Sequence, residues 1–115
     1  MSMYLYRIKL EDDCWYIGTT INTDRRFEEH YNMRGAKWTM LHKPLRPMAD
    51  NTAFWEIPNM SSFQVEEMED VYTVALMKKY GINNVRGGYR IFCQDLKKII
   101  PRHTARFIYN KVKYN

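Results

Sequence analysis

Four residues near the start of the chain are of types that move protons and bind phosphate. Tyr6 and Tyr16 stand ten residues apart, Arg26 follows after ten more, and His30 comes four later. A phenol ionises at about pH 10, so it acts as a base only with positive charge beside it, which an arginine and a histidine supply. Residues four apart on a helix are neighbours, so Arg26 and His30 share a face if their segment is helical. Together these side chains have the make-up of a reaction centre. Further along, Glu69 adds a carboxylate at an unusual place. At about 100° per residue, Val65, Met68, Tyr72, Ala75 and Leu76 form one apolar stripe, and Glu69 falls about 40° from Val65, between the stripe and its edge. A carboxylate there needs a cation or a donor, because burying it alone is costly. Enrichment of acids near a helix N-terminus accounts well for Glu66 and Glu67 and less well for Glu69.

The elements that must hold these residues follow from local pattern. Met3 to Leu10 alternates as a strand, with Tyr4, Tyr6 and Ile8 on one face. Glu11-Asp12-Asp13 is a polar turn, and Cys14 to Thr19 is a second aromatic and β-branched run, so the two pair as an antiparallel hairpin. Gly18 within that run marks a close approach or a bend. Asn22-Thr23-Asp24 supplies N-cap candidates for a short helix from Arg25 to about Met33, anchored by Phe27 and Tyr31. Gly35 ends it. The loop Gly35-Ala36-Lys37-Trp38-Thr39 leads into a basic, proline-containing connection, and Phe54 to Ile57 is the next strand. Trp38 reads as a packing residue rather than a surface for stacking bases. Ser61 with Gln64 makes a capping box for a helix from Ser62 to Tyr80, closed by Gly81. Ile82 to Gly88 is a turn-rich loop able to bring Asn84 or backbone N–H groups to a phosphate. Gln94 to Tyr114 reads as a basic helix interrupted near Pro101.

The chain of 115 residues, 45% hydrophobic and 15% aromatic, can bury the core of one domain. No apolar run approaches the roughly 20 residues needed to span a bilayer. The N-terminus lacks the pattern of a signal peptide, so a soluble, intracellular protein without a membrane partner is expected. Cys14 and Cys93 have no second pair, which argues against a disulfide framework or a structural zinc site. The net charge of +5 is unevenly spread, since residues 47–77 carry six acids and no base while residues 78–115 carry ten bases and one acid. Basic segments bracketing an acidic island are compatible with a phosphate backbone as partner, and a solvated basic face accounts for the charge equally well.

The run Tyr4-Leu5-Tyr6, the triplet Tyr16-Ile17-Gly18, Arg26, His30, an acid on the long helix and Asn84 after it resemble the GIY-YIG nuclease superfamily. Tyr4 departs from the usual glycine of the first triplet. The likeness runs from about Tyr4 to Gly88. The run from Met77 to Gly88 is also similar to stand-alone members from large DNA viruses, and the loop from Gly35 to Thr39 to that of members cutting branched DNA.

The resemblance implies a small α/β (α+β) domain, a three-stranded antiparallel sheet flanked by helices, that hydrolyses DNA with one divalent metal, Mg²⁺ or Mn²⁺. Residues 1–90 would form this domain, and residues 91–115 a basic helical extension packed on it. By position, Tyr6 and Tyr16 match the family's tyrosine pair, Arg26 its arginine, His30 the histidine of one branch, and Glu69 the metal-binding glutamate, with Glu66 and Glu67 as alternatives. Lys37, Asn84 and Arg86 are expected to bind DNA. Tyr6 is expected to activate water while His30 relays the proton and Tyr16 orients the site. Branched or nicked DNA, a role in repair or recombination, and a protein partner or homodimer are left open. The alternative is a catalytically inactive nucleic-acid-binding module of the same fold.

Overall fold

The computed structural model describes residues 2–87, so the expected basic helix of residues 94–114 lies outside the described residues. The chain runs β1 (Met3–Lys9), a 3₁₀ turn (Glu11–Asp13), β2 (Trp15–Thr20), α1 (Thr23–Tyr31), α2 (Lys37–Leu41), α3 (Met48–Asn51), β3 (Thr52–Ile57), α4 (Ser62–Tyr80) and β4 (Val85–Gly87). β1 and β2 form the expected hairpin, with Tyr6 opposite Gly18 and Ile8 opposite Tyr16. β3 lies antiparallel on the other side of β1, placing Phe54 opposite Tyr6.

The sheet has four strands in the order β3-β1-β2-β4, one more than expected. The added strand is β4, which falls in the segment read as a turn-rich loop and pairs parallel to β2 from Trp15↔Val85 to Ile17↔Gly87. A hydrogen bond from the Trp15 amide to the Asn84 carbonyl, 2.8 Å, starts the pairing.

Alternation along the strands divides the interior in two. Leu5, Ile17 and Ile57 meet Val65, Leu76, Met77 and Val85 on the face covered by α4. Tyr6, Ile8, Leu10, Cys14 and Tyr16 meet Phe27, Tyr31 and Trp38 on the face covered by α1 and α2. Each buried aliphatic side chain contributes roughly 1.5–3 kcal/mol of transfer free energy, so both faces hold the sheet.

The capping box of α4 forms as read. Ser61 Oγ accepts from the Gln64 amide at 3.2 Å, Gln64 Oε1 accepts from the Ser61 amide at 3.0 Å, and Gly81 closes the helix at φ 109°. Its buried face is wider than the stripe, taking in Thr73, Val74 and Met77, because the helix covers β2 and β4 together. α1 starts at Thr23, where Asn22 Oδ1 accepts from the Arg25 amide at 3.1 Å. α2 replaces the expected loop. Its Trp38 and Thr39 are both buried, and the Trp38 indole N–H donates to the Trp15 carbonyl at 3.1 Å, so it is a packing residue.

Candidate active site

β1, β2 and α1 bring Tyr6, Tyr16, Arg26 and His30 into one cluster. The ring of Tyr6 lies across Gly18, where any Cβ would collide with the Tyr6 hydroxyl. This close approach is what the glycine in β2 permits. The Tyr6 and Tyr16 ring centroids are 6.4 Å apart, and the His30 ring is 5.7 Å from Tyr6 and 5.1 Å from Tyr16. Four-residue spacing on α1 sets Arg26 and His30 against the same phenol. Arg26 Nε donates to the Tyr6 hydroxyl oxygen at 3.3 Å, and that hydroxyl lies 2.8 Å from His30 Nε2.

The protons of this cluster can be placed by following its donors. Thr39 Oγ1 donates to the Ala36 carbonyl at 2.7 Å, so toward His30 Nδ1, 3.2 Å away, it acts as the acceptor. His30 therefore carries its proton on Nδ1, and Nε2 accepts from the Tyr6 hydroxyl. The result is a directed chain, Arg26 to Tyr6 to His30 to Thr39 to the Ala36 carbonyl. Gly35 closes over the imidazole, since a Cβ there would strike His30 Nδ1.

Electrostatics agree with this order. Burial, and then the Arg26 charge, push His30 down to about 3, so the imidazole is neutral. Burial, with Tyr16 and Glu69 adding to it, lifts Tyr6 well above the ordinary phenol range, and Arg26 offsets only part of the rise. Tyr16 is raised by burial and Glu69 against the opposing pull of Arg26. Burial works against the charge on Arg26 itself, but Tyr6, Tyr16 and Glu29 together hold it firmly protonated. Glu29 Oε1 lies 3.7 Å from the guanidinium.

Glu69 stands on α4, which covers the other face of the sheet. Thr19, whose side chain points opposite to that of Thr20, donates from Oγ1 to Glu69 Oε2 at 2.9 Å. The charge of Glu69 contributes to raising both phenols. Glu66 is exposed and Glu67 half-buried on the same helix. Among the described residues no three His, Cys, Asp or Glu side chains form a metal-holding group.

The three residues expected to meet DNA differ in exposure, and one of them, Arg86, lies beside Tyr16 in register. Lys37 is exposed at the start of α2, two residues before Thr39. Asn84 donates from Nδ2 to the Tyr80 carbonyl at 2.8 Å and so fastens the end of α4. Arg86 is 1% exposed, its guanidinium lying 4.5 Å from the Trp38 ring centroid and donating to the carbonyls of Ile82 and Val85. In that position it ties β4 to α2 and offers no open face to a phosphate. Thr39, Thr19 and Gly35 were not singled out as site residues. Strand alternation would have found Thr19, which shares the α4 face with Ile17, whereas nothing local marks Thr39.

The family model described as the GIY-YIG catalytic domain matches residues 2–73. The chain belongs to the GIY-YIG family. It has a nuclease-type domain, and the matched segment carries both tyrosines, Arg26, His30 and Glu69. A UPF0213 protein of Halalkalibacterium halodurans is 32% identical over 88 residues, covering 76% of this chain and 88% of that protein. UPF0213 proteins of Cupriavidus necator and Fusobacterium nucleatum are 44% and 39% identical over 45 and 46 residues, covering 49% and 46% of their own lengths. These three relatives are bacterial, and they do not show the likeness to members from large DNA viruses. No solved structure matches the chain. Among the described residues no helix is long and apolar enough to cross a membrane.

Proposed function

We propose that this GIY-YIG protein is an endonuclease that hydrolyses DNA phosphodiester bonds with Mg²⁺ or Mn²⁺. The observation that supports the reading is the directed chain of hydrogen bonds through Tyr6 and His30. A neutral phenol with a raised pKa is a poor base alone, and it can take a proton from water only as its own proton leaves. His30 Nε2 is the acceptor for that proton, because the bond to Thr39 keeps the other ring nitrogen protonated and the ring oriented. The imidazolium so formed is disfavoured by burial and by Arg26, and a phosphate beside Arg26 would offset that charge. Arg26 donates to a non-bridging oxygen and favours the negative charge that grows in the transition state. Tyr16, beside both rings, orients the site.

Glu69 is the residue that would hold the cation. A single hard carboxylate fits Mg²⁺ or Mn²⁺, which are commonly held by one or two carboxylates, substrate phosphate and water. When bound, the cation would polarise the phosphate and stabilise the departing 3′ oxygen. Branched or nicked DNA is the proposed substrate form, with Lys37 at the mouth of α2 as a phosphate contact.

The test is cleavage of labelled duplex, flap and four-way-junction DNA in Mg²⁺ or Mn²⁺ by wild type, Tyr6→Phe and Glu69→Ala. Cutting that needs the metal and falls by about a hundredfold or more in Tyr6→Phe is expected. Wild-type rates in Tyr6→Phe would refute the role of Tyr6, and DNA binding without any cutting would mark a binding module instead.

A further inference from the structure

We propose that Phe54 is a stacking platform for an unpaired DNA base next to the scissile phosphate. The proposal rests on the nuclease reading and names the form of substrate the site selects. Phe54 lies on the edge strand β3, directly across from Tyr6, so both side chains stand on the same face of the sheet. The ring is 50% exposed. It is nevertheless held in place by edge contacts to Tyr4, 6.1 Å and 71°, and to Phe27, 5.5 Å and 61°. Phe27 in turn packs edge-on to Tyr6 at 5.2 Å. Such a ring is already oriented and loses little freedom when a flat group settles on it.

Charge around the ring sets the direction of the strand. Arg26 precedes Phe27 on α1 and lies on the Tyr6 hydroxyl, so the phosphate side of a bound strand belongs there. Glu56 stands on the Phe54 face two residues further along β3, opposite Tyr4 in register, with Ser2 Oγ donating to its Oε1 at 2.6 Å. A carboxylate repels phosphate, so the backbone keeps to the Arg26 side and the base turns toward Phe54. A base inside a duplex already has both faces stacked, and only an unpaired one can use the ring.

The same strand supplies its own control. Trp55, 40% exposed, points to the α4 face and packs edge-on to Tyr72 at 5.7 Å and 85°, away from Tyr6. General apolar stickiness of an edge strand would involve both rings, whereas a platform at the site involves only Phe54.

The experiment is fluorescence anisotropy in metal-free buffer with a short labelled single-stranded DNA and the blunt duplex of the same sequence. Phe54→Ala is expected to weaken single-strand binding about tenfold and to change duplex binding by less than about twofold, since stacking on one aromatic ring is lost. Phe54→Tyr should keep wild-type binding, and Trp55→Ala should behave as wild type on both ligands. Equal losses on single strand and duplex, or an equal loss in Trp55→Ala, would overturn the proposal. So would a wild type that binds both DNAs alike, or a Phe54→Ala variant that sediments as a smaller species than wild type, which would mark the ring as a self-association surface. Because binding is read without metal, this pattern in a protein that never cuts DNA would keep the platform and discard the nuclease reading.

Discussion

The two faces of one sheet are built on different physics although they come from the same strands. On the α4 face, Leu5, Ile17, Leu76, Met77 and Val85 pack as aliphatic surface. On the α1 face, Tyr6, His30 and Thr39 are equally well buried, but their polar atoms are joined to one another. The stability of an aliphatic face follows area and volume, and it yields gradually to substitution. A buried hydrogen-bonded set depends on being complete, because removing one member leaves the others unsatisfied. The first face therefore tolerates gradual change, while the second holds only as a complete hydrogen-bonded set.

Substitutions can break this contrast at several strengths. His30→Ala has the largest expected effect. It removes a fully buried ring that serves both Tyr6 and Thr39, and DNA cleavage should fall by about 10²–10⁴-fold. Ile17→Ala on the opposite face should cost about 2–5 kcal/mol in denaturant unfolding and leave the rate per folded molecule near wild type. If both variants lost activity in proportion to stability alone, the contrast between the faces would fail. Thr39→Val keeps shape but strands the Nδ1 proton of His30, and a loss of about 1–3 kcal/mol is expected, with cleavage reduced as the tautomer loses its anchor.

A further effect is read by pH. His30 titrates at about 3 when folded against an ordinary 6.5. Below 6.5 the unfolded chain takes up a proton that the folded one does not, so stability is full above that value and declines as pH falls toward 3. Tyr6, raised by burial, acts at the other end: above its ordinary 10.0 the unfolded phenol ionises first, and stability declines again. Melting temperatures across pH should show the acid decline shrinking in His30→Ala and persisting in Ile17→Ala.

Much of this was legible where a short stretch determines its own conformation. The alternation of Met3–Lys9, the Ser61–Gln64 capping box and Gly81 place β1 and α4 without reference to anything distant. The pairing of Arg26 and His30 on one face of α1 was equally local. What stayed hidden depended on partners far along the chain. β4 is three residues long and glycine-containing, so it looks like a turn until β2 is beside it. Arg86 reads as a surface cation until Trp38 and two carbonyls surround it. Thr39 becomes part of the proton chain only because α2 folds back onto α1. Asn84 and Arg86 are likewise occupied in closing the fold, one on the Tyr80 carbonyl and the other on the Trp38 ring.

That closure bears on how small a working piece of the protein can be. A fragment ending at residue 73, where the family match stops, would retain Tyr6, Tyr16, Arg26, His30 and Glu69. It would also lose the last two turns of α4 and all of β4, leaving the outer edge of β2 without its parallel partner and the Trp38 ring without Arg86. Trp15 would lose Tyr80, on which it stacks at 4.9 Å. The folding unit therefore reaches at least to Gly87, and a fragment ending at residue 73 would carry the clustered side chains on a sheet unable to hold them.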